Sequence, residues 1–317
     1  MSREFRILIT GAGTSTAVTA LKGLRAAGDP SIRVVMGDIR RECAGAYLGD
    51  EFAEMPLASA PDFSDRVTKI CRERKIDLVI PIIDYEFVHW SRLSAELMQS
   101  GTRVVISPEP ALTVAEEKDK TFEYFQSLRV PTIDTWRADE IADPAKLPFP
   151  VYLKPRCGRA SLDNYIARNT EEYRLSIAKV PDPIVQPLTS GEEVTIDTIS
   201  DFEGRFLAAC PRIRLEVKSG QAYRSVTIDR PDLVAMARRI VEGLPIVGPS
   251  NIQCFLTDAG PAVFEINARF GAASILSIQA GMNGPAALVA MARGEALPPL
   301  APRPGVLMLR YWQEVFA

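Results

Sequence analysis

The first hundred residues alternate short apolar runs with apolar positions at helical spacing, and that alternation restricts the chain more than any other feature. Residues 5–10 (FRILIT) form an apolar run that ends in Gly11-Ala12-Gly13-Thr14. Val18, Leu21 and Leu24 follow at the spacing of one helix face, and residues 33–39 form a second apolar run. The pattern repeats. Val67, Ile70 and Cys71 lead into residues 76–83, and Phe87, Trp90, Leu93 and Leu97 lead into residues 104–107. Strands joined through helices run parallel, and a parallel sheet needs cover on both faces. The expectation is a small doubly wound α/β domain over residues 1–110.

Beyond residue 110 the pattern changes. A long helix is expected over residues 111–128, carrying Lys118 and Lys120, after which Pro131, Pro144, Pro148 and Pro150 rule out a single continuing helix and mark a change of domain. Residues 151–154 read as a strand with Lys154 at its end. The loop Arg156-Cys157-Gly158-Arg159-Ala160-Ser161 follows, and its small and basic residues suit a phosphate cradle. Strands are expected at residues 183–188, 194–200 and 206–214, the last carrying Arg212 and Arg214, with Lys218 beyond. A helix with Leu233, Met236, Ile240 and Leu244 on its apolar stripe comes next, and a last strand spans residues 306–316. At 317 residues the chain is longer than one core usually supports.

Residues 251–256 and 262–267 read as a hairpin around a Thr257-Asp258-Ala259-Gly260-Pro261 turn. A symmetric loop sets Gln253 opposite Glu265. Alternation then puts Asn267 on the face of Glu265, and Phe264 and Ile266 on the other face with Ile252 and Cys254. A rigid face of carboxylate and amide oxygens, with Arg269 just beyond, suits a hard cation that also binds phosphate. The competing reading is an ordinary surface hairpin with polar residues outside.

Composition narrows the chemistry. A net charge of −3 gives no reason to expect nucleic-acid binding. No apolar run is long enough to span a bilayer, and residues 1–10 lack the apolar core of a signal peptide, so a cytoplasmic protein is expected. The five scattered cysteines form neither a disulfide frame nor a zinc motif. A single histidine, His89, excludes a His-centred triad and a multi-His metal site. Catalysis must rest on carboxylates, lysines, arginines and metals. Gly11 to Thr16, with Asp38 at the end of the second apolar run, resembles a dinucleotide fingerprint whose third glycine is replaced by Thr16. Substrate-pocket lining and a plain tight turn are the other readings of that loop. Asp84 and Glu86 follow a strand at the sheet edge where ligands of open α/β sheets usually bind.

SNIQCF at residues 250–255 paired with FEINAR at residues 264–269, the ITGAGT start and the lysines of the second domain together resemble the ATP-grasp superfamily. The likeness is to single-unit proteins similar to the large subunit of carbamoyl-phosphate synthase, and it covers nearly the whole chain. It implies an N-terminal pre-ATP-grasp domain (1–110) followed by a two-lobed α+β ATP-grasp domain (111–317), with lobes of about 111–184 and 185–317. Matched residue by residue, it implies magnesium ligation by Gln253, Glu265 and Asn267 and contact of Arg269 with the phosphate in transfer. Lys118 and Lys154 would hold nucleotide phosphates, Gln186 and Leu188 would frame adenine, Glu193 would bind ribose, and Lys218 falls near a phosphate-contacting position. Lys120 takes the place of Lys118 if the helix register slips. Gly11, Asp84, Glu86, Arg212 and Arg214 are candidates for substrate lining.

The function so implied is an ATP- and Mg²⁺-dependent (or Mn²⁺-dependent) ligase that joins a carboxylate to an amine or a thiol through an acyl phosphate. The implied partners are small carboxylates and amines, and a homodimer is the usual assembly of such proteins. Two features depart from the family. The loop at residues 156–161 is shorter than the usual phosphate lid, and one unit is too little for a carbamoyl-phosphate synthase, so that activity is not transferred. Two rivals stay open: an NAD(P)-dependent oxidoreductase built on the Gly11 loop and Asp38, and a nucleotide-binding regulatory module without turnover.

Overall fold

The computed structural model describes residues 3–158 and 162–317. Strands β1 (Phe5–Thr10), β2 (Ile32–Asp38), β3 (Glu51–Glu54), β4 (Leu78–Ile80) and β5 (Arg103–Val104) form a parallel sheet in the order β3-β2-β1-β4-β5. Helices α1 (Ser15–Ala26), α2 (Ala44–Leu48), α3 (Phe63–Glu73) and α4 (Phe87–Gln99) connect and cover it. Ile7 and Ile9 face one cluster of buried side chains and Leu8 the other, as expected of a strand buried on both faces. Thr14 caps α1, its Oγ1 accepting from the Ala17 N–H at 3.1 Å. The expected doubly wound sheet is present, with β3 as an edge strand that the apolar pattern did not reveal.

The expected single helix over residues 111–128 is two helices, α5 (Glu109–Glu116) and α6 (Lys118–Ser127). Glu117 between them is extended, at φ −90° and ψ 108°. This break starts α6 at Lys118 and turns that lysine inward.

Strands β6 (Trp136–Arg137), β7 (Val151–Pro155), β8 (Tyr165–Ala167) and β9 (Pro183–Pro187) form a small antiparallel sheet, packed by α7 (Thr170–Ile177). A larger antiparallel sheet follows from β10 (Glu192–Ser200), β11 (Phe206–Lys218), β12 (Gln221–Thr227), β13 (Pro249–Thr257), β14 (Gly260–Asn267) and β15 (Leu307–Leu309), in the order β14-β13-β10-β11-β12-β15. Because β9 pairs with β7, the chain passes from one sheet to the other between Pro187 and Glu192, a little beyond the expected residue 184. The last strand is three residues long rather than spanning 306–316, and residues 310–317 are irregular.

Helix α8 (Pro231–Gly243) buries Leu233, Met236, Ala237, Ile240 and Val241 against the inner face of the larger sheet. Those positions are the stripe its 3.6-residue period dictates. Helices α9 (Ser274–Ala280) and α10 (Gly284–Arg293) return to the first sheet, where Ala280, Leu288 and Val289 join the buried cluster of Ile7, Leu21 and Leu24. One core therefore runs through both ends of the chain.

Candidate active site

A cleft of about 1070 Å³ lies between the C-terminal edge of the parallel sheet, the small sheet and the outer face of the large sheet. Strands β13 and β14 form one wall, and their register is the expected one, Gln253 opposite Glu265 and Asn251 opposite Asn267. A β-bulge after Gln253 puts Cys254 opposite Val263 and leaves Phe264 as the extra residue. Phe264 was expected on the oily face with Ile266. The bulge instead turns it into the cleft, where it stacks on Phe255 with ring centroids 4.9 Å apart. Ile252, Cys254, Val263 and Ile266 fill the core behind. The turn is tighter than expected, since Thr257 pairs directly with Gly260.

On this wall the polar groups hold one another. Asn267 Nδ2 donates to Glu265 Oε1 at 3.1 Å and to Asn251 Oδ1 at 3.2 Å. Arg269 Nη2 donates to Asn267 Oδ1 at 3.4 Å, and its Nε donates to Asp84 Oδ1 at 2.8 Å. Asp84 thus enters the cleft from the parallel sheet by pairing with Arg269.

Two buried lysines face this wall. Lys154, at the end of β7, is 6% exposed with its Nζ 5.6 Å from the centre of the Phe264 ring. Burial pulls its pKa down to about 8, neighbouring Lys118 adds to that, and Glu265 opposes it. Lys118, buried at the start of α6, donates from Nζ to the Gly158 carbonyl at 2.9 Å. Lys120 pairs instead with Glu117 at 2.8 Å and does not line the cleft.

Gln186 and Leu188 line the far end. Gln186 is buried and donates from Nε2 to Thr135 Oγ1 at 2.8 Å, and Leu188 is half-exposed. Glu193, at the start of β10, accepts from Arg214 Nη1 at 2.5 Å, and burial raises its pKa against the pull of that arginine. The same Nη1 donates to Gln253 Oε1 at 3.0 Å. Lys218 lies over the Tyr223 ring at 3.7 Å and pairs with Glu216 at 3.1 Å. Arg212 is locked by Asp197, donating from Nε at 2.9 Å and from Nη2 at 3.2 Å.

Three expectations fail. Gly11 does not line the cleft; it makes the turn after β1 at φ +66°, where a Cβ would sit 2.6 Å from Ile83 Cδ1. Gly13, Thr14, Ser15 and Thr16 line the cleft in its place. Glu86 is inside the protein rather than in the cleft, accepting from Trp90 Nε1 at 3.1 Å, and burial raises its pKa to about 7. Arg156 points away, tied to Glu117 at 2.5 Å and to Asp182 at 2.6 Å. Arg159 lies outside the described residues. Asp38, considered as a ribose acid, accepts from the Gly13 N–H at 2.7 Å and the Ile39 N–H at 2.8 Å, which closes the glycine loop on itself.

Sequence reasoning did not single out Arg310 and Gln221 as site residues; they line the cleft together with Ser15 of the glycine loop. Ser15 Oγ donates to Gln221 Oε1 at 3.0 Å, and Arg310 Nη1 donates to the same oxygen at 3.3 Å. No local pattern marks these residues, because three distant segments meet only in the fold. Among the described residues no helix is long and apolar enough to cross a membrane.

A five-stranded parallel sheet followed by two antiparallel sheets, with buried lysines facing an oxygen-lined hairpin, marks a class: the chain shows distant homology to ATP-grasp superfamily proteins. Residues 179–314 match the family described as ATP-grasp in the biosynthetic pathway with Ter operon, and residues 7–105 match the PylC-like, N-terminal domain family. The 3-methyl-D-ornithine–L-lysine ligase of Methanosarcina barkeri is 22% identical over 245 residues, 75% of this chain and 61% of that protein. The carbamoyl phosphate synthase large chain of Thermoplasma acidophilum is 22% identical over 240 residues, 68% of this chain and 23% of that protein. The chain thus matches less than two thirds of the length of each of these curated relatives. In fold it is similar to the biotin carboxylase domain of 2-oxoglutarate carboxylase from Hydrogenobacter thermophilus, a dimer in complex with MgADP, ADP and bicarbonate. The TM-score is 0.73 at 13% identity, covering 94% of this chain and 71% of that one.

Proposed function

We propose that the protein is an ATP- and Mg²⁺-dependent ligase that activates a carboxylate as an acyl phosphate and joins it to an amine or thiol, releasing ADP and phosphate. One observation carries this reading: two buried lysines face a hairpin wall of carboxylate and amide oxygens across a single cleft. Burying an ammonium such as Lys154 is costly, and a polyphosphate in the cleft offsets that cost.

One carboxylate and two amide oxygens, from Glu265, Gln253 and Asn267, are an incomplete set for a hard cation; phosphate oxygens complete it. The residues therefore fit magnesium bound together with nucleotide, and fit poorly a free metal site, for which no cluster of three acidic or thiol ligands exists among the described residues. When bound, the ion neutralises charge on the β- and γ-phosphates. Lys118, Lys154 and Arg269 add fixed positive charge, and Gln186 and Leu188 border the base. An acceptor carboxylate oxygen bonds to the γ-phosphorus as its bond to the ADP oxygen breaks, and the amine or thiol then bonds to the acyl carbon as phosphate leaves.

The expected result is phosphate release that requires ATP, Mg²⁺ and one member of a panel of acids. Glu265→Ala and Lys154→Ala, with unchanged circular dichroism, lower it at least 100-fold, in line with the loss of a charge that stabilises the transferred group. Normal turnover by Glu265→Ala refutes the metal assignment. Tight ATP binding with no turnover across the whole panel supports a regulatory module instead.

A further inference from the structure

The sheet that carries the oxygen-lined hairpin also carries, on β11 and at its far edge, cations that the nucleotide reading does not use. Arg212 and Arg214 are side by side on β11 by sequence spacing, with side chains 4% and 7% exposed, and both line the cleft. Asp197 takes two nitrogens of Arg212 and is itself held by Ser274 Oγ at 3.1 Å and Ser277 Oγ at 2.5 Å, so the guanidinium is fixed in place. Its third nitrogen, Nη1, is buried and has no acceptor among the described residues. Arg214 Nε is in the same state, and so is Nε of Arg310. Leaving a buried donor without an acceptor is costly, because its lost hydration is not replaced. Three such donors on one wall mark a place where acceptor oxygens from outside the protein belong.

Charge agrees with this. Asp197 balances Arg212 and Glu193 balances Arg214, but no carboxylate of the described residues pairs with Arg310. Burial and nearby Arg212 push the pKa of Arg310 down, as expected of a cation short of an anion. Arg310 also stands beside the N-terminus of α1, linked through Gln221 to Ser15. Helix α1 has twelve residues and no acidic side chain in its first turn, so its N–H groups add positive potential to the same corner.

We infer that this corner, built from Arg212, Arg310 and the start of α1, binds a second anionic group of the acceptor, so that the substrate acid is a dianion, a dicarboxylate or a phosphorylated carboxylate. One carboxylate is activated near Arg269 and the other anionic group is held here. The inference rests on the acceptor lying in this cleft, as the ligase reading requires. It adds what the reading does not contain, the charge class of the acid.

The test measures binding of length-matched acids to the full chain by calorimetry, with MgADP bound at saturation: butyrate as the monoanion, succinate as the dicarboxylate and 3-phosphonopropionate as the phosphorus analogue. Succinate or 3-phosphonopropionate binding at least tenfold tighter than butyrate is expected, and the stronger of the two identifies the second group. Arg310→Gln should reduce the preference to under threefold, and Arg310→Lys should restore part of it, with melting curves checking that each variant folds. Equal binding of all three acids, no binding of any acid to the MgADP-loaded protein, or a preference that survives Arg310→Gln overturns the inference. MgADP affinity is measured first. If MgADP does not bind while succinate prefers the wild type over Arg310→Gln, the ligase reading fails and the anion site stands.

Discussion

Single residues at the cleft carry their function through the cost of burial. Lys154 holds its charge at 6% exposure, and its pKa of about 8 means the free protein loses that proton in the mildly alkaline range. Phosphate oxygens bind the ammonium form. Below pH 8 the proton is already present and nucleotide affinity is level; above it, binding must take up a proton, and affinity falls by up to about tenfold per pH unit. Titrating MgADP from pH 7 to pH 9.5 checks this, and Lys154→Arg should remove the slope, because a guanidinium does not titrate there. Glu86 gives a prediction for stability. Its folded pKa is raised to about 7, so the folded state keeps a proton that the unfolded chain releases at lower pH. The relative stability is fully present below the ordinary carboxyl range and is lost as the pH rises to about 7, on the order of 3 kcal/mol in all. Glu86→Gln keeps an acceptor for Trp90 Nε1 and should raise the melting temperature at pH 8 while changing it little at pH 4.5.

At the scale of elements, the strands and helices with strong apolar periodicity were legible in the sequence, and the irregularities that shape the site were not. The register of Gln253 against Glu265 followed from loop symmetry. The bulge that turns Phe264 toward Lys154 did not, since a bulge is one residue of local slippage with no mark in the apolar pattern. The break at Glu117 was hidden in the same way, because residues 111–128 contain neither glycine nor proline to interrupt a helix. Strand β12 went unread because Arg224 and Ser225 interrupt its apolar positions. Helix packing gives a further test. A Cβ at Gly23 of α1 would lie 2.7 Å from Pro285 Cγ and 3.1 Å from Ile278 Cδ1. Alanine ordinarily stabilises a helix relative to glycine by roughly 0.5–1 kcal/mol. Here Gly23→Ala should instead destabilise, by about 1–3 kcal/mol from overpacking against a rigid ring. Urea unfolding measures the sign.

For the whole molecule, we propose residues 1–110 and 111–317 as the two structural units, joined by a shared core rather than a loose linker. Leu21 and Leu24 of the first unit pack with Ala280, Leu288 and Val289 of the second. A fragment of residues 1–110 therefore exposes one apolar face of its sheet layer, and it should show no cooperative thermal transition by circular dichroism; a sharp two-state melt would contradict the shared core. The same closure sets the cleft between units, which brings Asp84 to Arg269 and Ser15 to Gln221.

The central claim is that a carboxylate oxygen attacks the γ-phosphorus in this cleft. The direct measurement uses the acid that supports phosphate release, labelled with ¹⁸O in its carboxylate, and weighs the phosphate released. An acyl phosphate requires one labelled oxygen to pass from the acid into the phosphate at each turnover. Phosphate that carries no label would contradict the account.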